Sequence, residues 1–551
     1  MTLAGRRLGG GLAAITVILV LATGALALRN GSQIFATPLT EDGFYSLAVA
    51  RNVARGAGIT ADGRQPTNGF QPLFTAVEAG CYRVAGGDEV PAVRLVLGLS
   101  WLIYVATAWL VGAIAADLTG TAPSDGSPAA PSDGGARRHA RRWLAGLLYG
   151  GGFLSFMHHF NGLETGLVLL LYAVSWRAYQ HGWFEHRFGS LGFGALFGLL
   201  VLARIDAAVF VALFCAWQLA AQGRTEPGRA LWRAGSTAAV AVIVSSPWWT
   251  YNYFEFGSLM PTSGTAQQAW ALSDRRLRWV LWALGVSSLP TLWLGRFDEL
   301  FHDGIVPSLL RALVIGALAL LIARAWWQAS PLTGDAVERA RRTVAFGAVL
   351  TAAMAALALY YGLSFIAYWF YYRYLFPVAL IASVLIAWWA APVALAWPRV
   401  AVMVLALLCA PTVISAVMAQ RGHTLHVDTV YWEQLALVDE QVPDNDFVAA
   451  GQTGTLGYFR ARTANVDGKV NREAIPYQDH MWDYLAQRDV RWFADWPFYV
   501  EKYLGRDPAD HGWHKVGQKG YWELWHRNQR RGPRPRLSTP GRSGTGGGTE
   551  R

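Results

Sequence analysis

Two adjacent acids, Glu41 and Asp42, stand in the stretch TPLTEDGFYSLAVARNVARGAGITADGRQPTNGFQPLF, about a dozen residues past a long apolar block. Neighbouring carboxylates in that setting have three uses: a general base, a pair of metal ligands, or the cap of the helix that follows. Thr40 before Glu-Asp suits capping, and FYSLAVARNVARG has helical spacing with Phe44, Leu47, Ala48 and Val53 on or near one face. Further on, Asn68-Gly69 and Gln71-Pro72 mark tight turns, so Asn68 and Gln71 either contact sugar hydroxyls or stabilise the turn. The short segment MHHFNGLETG gathers His158, His159, Asn161 and Glu164 between two apolar blocks. Ionisable groups at membrane depth are costly, so a role or a partner is expected for them. Glu164 complements a helix N-terminus or acts in a site, and the two histidines are candidate substrate contacts, though HHxxxxE is not a recognised zinc spacing. In LLVLARIDAAVF, Arg204 and Asp206 either pair with each other, or Arg204 faces a phosphate or fixes a catalytic carboxylate. Arg373, within Tyr371-Tyr372-Arg373-Tyr374, sits in an aromatic belt or holds a lipid phosphate, with Tyr374 beside it.

The elements that must position these groups are written in the composition. Hydrophobic residues make up 53% of the 551 and charged residues only 15%, with 26 tryptophans. A soluble domain carries nearer a quarter charged residues. Blocks such as AAITVILVLATGALAL and ALIASVLIAWWAAPVALAW are long enough to cross a bilayer, and only helices satisfy their own backbone there. About eleven spans are expected, near 10–28, 92–117, 143–158, 164–180, 190–205, 207–222, 234–250, 305–326, 344–369, 374–396 and 399–418. The first follows Arg6 and Arg7 and reads as a retained span rather than a signal peptide. Arginines cluster at 137–142, 224–233 and 324–342, and a cytoplasmic N-terminus puts all three loops inside. The net charge of +10 is therefore a mark of topology, and no nucleic-acid partner is expected.

On this count the first loop (29–91), a segment near 251–304 and the region after 420 all face outward. Residues 1–419 form a transmembrane domain, 420–530 a small extracytoplasmic α/β domain, and 531–551 a low-complexity, disordered tail. The strand-like DFVAAGQ and the amphipathic MWDYLAQRDV support the α/β form. The inner loop TAPSDGSPAAPSDGGARRHARR reads as a flexible insertion. Lysine occurs only at 469, 502, 515 and 519, and Cys81, Cys215 and Cys409 make no disulfide framework.

In their order these segments resemble the GT-C superfamily of polyprenyl-phosphate-dependent glycosyltransferases, and within it family 39, the protein mannosyltransferase-like relatives. The likeness is carried by EDGFYSLAVARNVARGAGIT with PTNGFQPL, NGLETGL, LARIDA, PWWTYNYFEFGSLMPTSG, YYRYLFPVAL and GTLGYFRARTANVDGKVN, across most of residues 15–475. It implies a polytopic bacterial plasma-membrane enzyme with a polyprenyl-phosphate-linked sugar as donor and an envelope glycan, lipid or protein as acceptor. Asp42 would be the catalytic base with Glu41 beside it, Glu164 a second active-site acid, and Arg373 a donor-phosphate contact. Transfer would be inverting: Asp42 takes the acceptor proton, the acceptor oxygen attacks the anomeric carbon, and Arg204 or Arg373 stabilises the departing phosphate. A divalent cation on Glu41, Asp42 and Glu164 is a further expectation. The chain departs from many relatives in having Glu41-Asp42 for two aspartates, Gln71 for a histidine and Ile205 for a proline. Two rival classes remain: a transporter or flippase of lipid-linked sugars, which would need polar groups in mid-span, and a non-catalytic subunit for envelope assembly.

Overall fold

The computed structural model describes residues 3–118, 131–265, 268, 273–288, 291, 335–423 and 430–528. Six described helices are long and apolar enough to cross a membrane: Arg6–Leu28, Glu89–Ala116, Ile205–Gln222, Val337–Ser364, Val378–Ala396 and Pro398–Ala419. Each overlaps an expected span. Three more expected spans coincide with helices Thr165–Gln180, Gly189–Ala203 and Pro227–Phe256, which are too short or too polar to join those six. The expected span 305–326 lies outside the described residues. Among the described residues, length and composition thus support six of the eleven or so expected crossings.

The expected span 143–158 is two helices, Pro131–Gly150 and Phe153–Phe160. Gly152 is extended at the break. Two carbonyls at the break are taken up by side chains: Tyr104 donates to Gly150 and Thr412 to Gly151, the latter at 2.7 Å. A broken helix survives in apolar surroundings only when its loosened backbone groups find such partners. Helix Pro131–Gly150 also claims much of the segment expected to be a flexible loop.

At one end of the bundle the arginine-bearing loops are drawn together by ion pairs. Asp117 accepts from Arg138 at 2.5 Å and Arg177 at 2.6 Å, and Glu185 pairs with Arg342 at 2.6 Å. Arg233 donates to the Glu185 carbonyl at 3.1 Å, which brings in the 224–233 loop as well.

Elsewhere, the loop after the first helix is pinned by one buried side chain. Arg29 donates to the carbonyls of Ile34, Ala36 and Thr37 at 3.0, 3.2 and 2.6 Å, and to Ala419 at the end of the last apolar helix at 3.1 Å. A guanidinium offers five donors in a rigid fork, which suits this convergence of carbonyls.

Residues 430–528 form a small α/β unit with a five-stranded mixed sheet of order β2-β1-β3-β5-β4, where β1 is Val448–Ala450, β2 Thr463–Asn465, β3 Trp492–Asp495, β4 Trp513–Lys519 and β5 Trp522–Arg527. β1 is parallel to both β2 and β3, while β5 is antiparallel to β3 and β4. The expected strand DFVAAGQ supplies β1, and MWDYLAQRDV supplies helix Met481–Gln487. The unit packs its own apolar cores on the faces of the sheet, around residues such as Phe493 and Trp513 on one side and Leu524 and Trp522 on the other.

Replacing Arg29 by Met strands the carbonyls of Ile34, Ala36 and Thr37, while Ala419 O keeps Gly422 N at 3.1 Å, and each unmet buried group costs about 1–3 kcal/mol. The expected outcome is a melting temperature lowered by many degrees in detergent, or failure to accumulate as a monodisperse species, read by thermal unfolding and size-exclusion chromatography.

Candidate active site

Helix Glu41–Ala54 begins where Thr40 caps it, its hydroxyl accepting from Gly43 N at 3.4 Å, and two acids in the first turn suit the positive end of the helix dipole. The same Thr40 donates to the carbonyl of Asn161 through both its backbone N–H (3.2 Å) and its hydroxyl (3.0 Å). Gly43 is where the two segments touch, since a Cβ there would lie 2.2 Å from the Asn161 oxygen. Asn161 therefore seats the start of the helix, with Glu164 three residues on.

Spacing of the apolar residues implied one buried face for this helix. In the structure nearly every residue from Glu41 to Asn52 is buried, and Asp42 is the exception. One side packs on the C-terminal unit, where Phe44 sits in an aromatic cluster with Phe35, Trp432, Tyr458 and Phe459. Arg51 donates to Tyr458 O at 2.7 Å and to Glu89 at 2.8 Å, and the Tyr45 hydroxyl accepts from Thr453 N at 2.8 Å. Glu41 completes this face. Its carboxylate accepts from Gly454 N, from Thr455 N at 2.8 Å and from the Thr455 hydroxyl at 2.6 Å, so it caps helix Gly454–Phe459 of the C-terminal unit. Burial pushes its pKa up to about 7 against those hydrogen bonds, with the Asp42 charge adding in the same direction.

Successive residues of a helix point about 100° apart. Asp42 consequently faces another way, into a cavity of about 460 Å³. Its carboxylate lies 3.5 Å from Arg373 Nη1. Arg204 Nε stands 3.6 Å from Glu164 and 3.8 Å from Asp206, and both Arg204 Nη atoms donate to Arg373 O at 3.3 Å. Both guanidinium groups stack against the ring of Tyr374, at 4.9 Å for Arg204 and 5.2 Å for Arg373. Asp206 accepts from the Tyr361 hydroxyl at 2.5 Å. The carboxylate–arginine contacts are all longer than a charge-assisted hydrogen bond of 2.7–2.9 Å. Arg204 Nε, Arg373 Nε and Glu164 Oε1 have no hydrogen-bond partner among the described residues, although all three are buried.

The structure thus brings Asp42, Glu164, Arg204, Asp206, Arg373, Tyr374 and Gln71 to one cavity wall. It does not bring the others there. Asn68 is fully buried and consumed by the fold: it donates to Asn252 at 3.1 Å and accepts from Thr262 N and Oγ1 at 3.0 and 2.8 Å, which is the turn-stabilising use. His158 is packed between Tyr372 and Phe376, and His159 shares a hydrogen bond of 2.7 Å with Ser155 O against Tyr104 and Tyr149, so neither lines the cavity. Glu41 is spent on the C-terminal unit.

The suggested metal set fails a fit test. Glu41 turns away from Asp42, Glu164 and Asp206 face arginines or a tyrosine, and no group of three or more His, Cys, Asp or Glu able to hold an ion occurs among the described residues.

Several lining residues carried no sequence signal of their own. Tyr361 falls within an apolar helix, and its pairing with Asp206 joins segments far apart in the chain. Ser46, one turn after Asp42, donates to the fully buried Glu78 at 2.5 Å. Lys469 reaches the cavity from the C-terminal unit, and the one hint was the scarcity of lysine in an arginine-rich chain.

No family model matches the sequence. No curated protein matches it either. Among solved structures, the chain is similar to the single-particle cryo-EM structure of the arabinofuranosyltransferase AftD from Mycobacteria, at 13% identity and a TM-score of 0.38. That match covers 94% of this chain and 40% of that one, so the chain spans well under half the length of that protein. At such a score the likeness decides neither fold nor function.

The raised pKa of Glu41 makes docking of the C-terminal unit depend on pH. Because the docked carboxyl holds its proton more tightly than a free one, its contribution is full below the ordinary glutamate range and is lost as pH rises through about 7. Asp495, buried at the end of β3 with its pKa also pushed up to about 7 by burial, is bonded within the unit by Gly451 and Gln452 and gives the unit's own folding a pH dependence of the same sign. Amide exchange at Gly454 and Thr455 is expected to be better protected at pH 5 than at pH 8, after correction for intrinsic exchange. Glu41→Gln should flatten that dependence while leaving the share due to Asp495.

Proposed function

We propose that this chain is a membrane glycosyltransferase of the GT-C kind, transferring a sugar from a polyprenyl-phosphate donor at the outer membrane face. One observation carries the reading most directly: Asp42, the buried Arg204 and the half-buried Arg373 open onto the same cavity, and the arginines are not satisfied by short pairing with the carboxylates beside them. Arginine matches phosphate oxygens in geometry, and donors left without partners in a buried wall suit a ligand that brings its own acceptors.

Asp42 is the general base. It is the member of the acidic pair that faces the cavity, its side chain is 23% exposed, and Arg373 holds it from one side. It takes the proton from the acceptor hydroxyl as that oxygen attacks the anomeric carbon. The bond from that carbon to the phosphate oxygen breaks with inversion, and the phosphate leaves with the electron pair. Arg373 and Arg204 then meet the charge that develops on it. Glu164 and Asp206 keep Arg204 in place, and Tyr374 supplies a ring on which both guanidinium groups rest. Family 39 is the proposed kin on the motif order alone.

A transporter would line a path along the spans with polar groups. Here the charged groups gather where the first loop, the 161–164 turn and the 204–206 turn meet, which favours an interfacial enzyme.

Asp42→Asn is expected to lower sugar transfer in isolated membranes by about 10²–10⁴-fold, the usual contribution of a general base, with donor binding retained. Full transfer by that variant would sink the base assignment, and donor flipping without any transfer by the wild type would favour the transporter. Arg373→Met is expected to lose about 10²–10³-fold in rate and to weaken donor binding as well, read from the same transfer assay and a lipid-binding assay.

A further inference from the structure

We propose that Lys469 of the C-terminal unit is a ligand contact, holding the phosphoryl group of the bound molecule from the wall opposite in origin to the arginines, so that the cavity is a composite site. The inference rests on the reading of the cavity as a lipid-phosphate sugar site.

The loop that carries Lys469 is built in place from both sides. Within it, Asp467 accepts from Lys469 N at 2.9 Å and pairs with Lys469 Nζ at 3.2 Å. From outside, Gly69 lies so close that a Cβ there would come within 1.9 Å of the Lys469 carbonyl oxygen, and Thr262 Oγ1 reaches the same oxygen at 3.5 Å. The backbone is therefore clamped between the first loop and the segment at 262. The side chain, 18% exposed, lines the cavity that also holds Asp42, Arg204 and Arg373. Asp467 itself does not line that cavity.

The plain alternative is a structural ion pair. Against it, an ammonium carries three donors, and Asp467 meets one of them. The other lysines show what such pairs look like in this unit: Lys515 bonds Glu523 at 2.7 Å and Lys519 bonds Glu440 at 2.5 Å, both on the surface. Lys502 rests on the ring of Tyr503. Lys469 alone among the described lysines faces the cavity. Burial opposes its charge, but Asp467 and Asp42 outweigh that, so the amine stays protonated well past neutral pH. A compact point charge on a flexible stem complements the planar forks of Arg373 and Arg204 around a tetrahedral phosphoryl group.

The test uses the full chain in nanodiscs, with binding of a polyprenyl monophosphate, the matching uncharged polyprenol and inorganic phosphate followed by native mass spectrometry. Lys469→Met should weaken polyprenyl monophosphate binding about 10–100-fold, the worth of one hydrogen bond to a charged group, and leave polyprenol binding unchanged. Lys469→Arg should restore most of the affinity, and unaltered thermal unfolding of both variants shows that the fold is intact. Inorganic phosphate that binds as tightly as the lipid, with the same dependence on Lys469, supports the anion contact and moves its source from lipid to a soluble phosphoryl compound. If Arg373→Met loses lipid phosphate while Lys469→Met binds it as the wild type does, the Lys469 assignment falls and the cavity reading stands. If the wild type binds none of the phosphate probes, both fall.

Discussion

The site depends on where one carboxylate is spent. Glu41 caps helix Gly454–Phe459 through two backbone amides and a hydroxyl, and the distance along the chain between the partners exceeds four hundred residues. Adjacent residues on a helix cannot face the same way, so committing Glu41 to the C-terminal unit aims Asp42 at the cavity. Everything else about the wall follows from that rotation. Asn161 seats the helix start, the 161–164 turn then delivers Glu164, and Glu164 helps hold Arg204 beside Arg373.

Burial is costly for such groups, and the structure offsets it unevenly. Around Glu41 every acceptor is met at short range, which marks a structural joint. Around Arg204 and Arg373 the contacts lie between 3.3 and 3.8 Å, and donors remain unmatched. The contrast between the satisfied joint at Glu41 and the unsatisfied wall at Arg204 and Arg373, which Asp42 on the next position of the helix faces, separates scaffold from candidate site without appeal to any relative. It also disposes of the metal set, since the acid that would have completed it is already in use.

Much of the helical architecture was legible in the amino-acid sequence because apolar length is a local property. Each expected span within the described residues meets a helix, while the Gly151–Gly152 break needed the neighbouring Tyr104 and Thr412 side chains to become visible. Asp42, Glu164, Arg204 and Arg373 were legible because charges at the ends of apolar blocks stand out. Asn68 and His158 looked equally suggestive, yet they are absorbed by contacts with Asn252, Thr262, Tyr372 and Phe376 that no local pattern encodes. Lys469 and Tyr361 were illegible for the same reason. Their neighbours in space are remote in sequence, and neither belongs to a motif with its own chemistry.

The capping of Gly454–Phe459 by Glu41 has a bearing on how the protein is made. A ribosome makes the first loop early, but the amides that receive Glu41 emerge more than four hundred residues later, after the described apolar helices. Until then Phe44 and Tyr45 lack the Trp432, Tyr458 and Thr453 partners they meet in the finished chain, although Arg51 can already pair with Glu89. The joint between the first loop and the C-terminal unit therefore closes late in synthesis, and the orientation of Asp42 is fixed only with it.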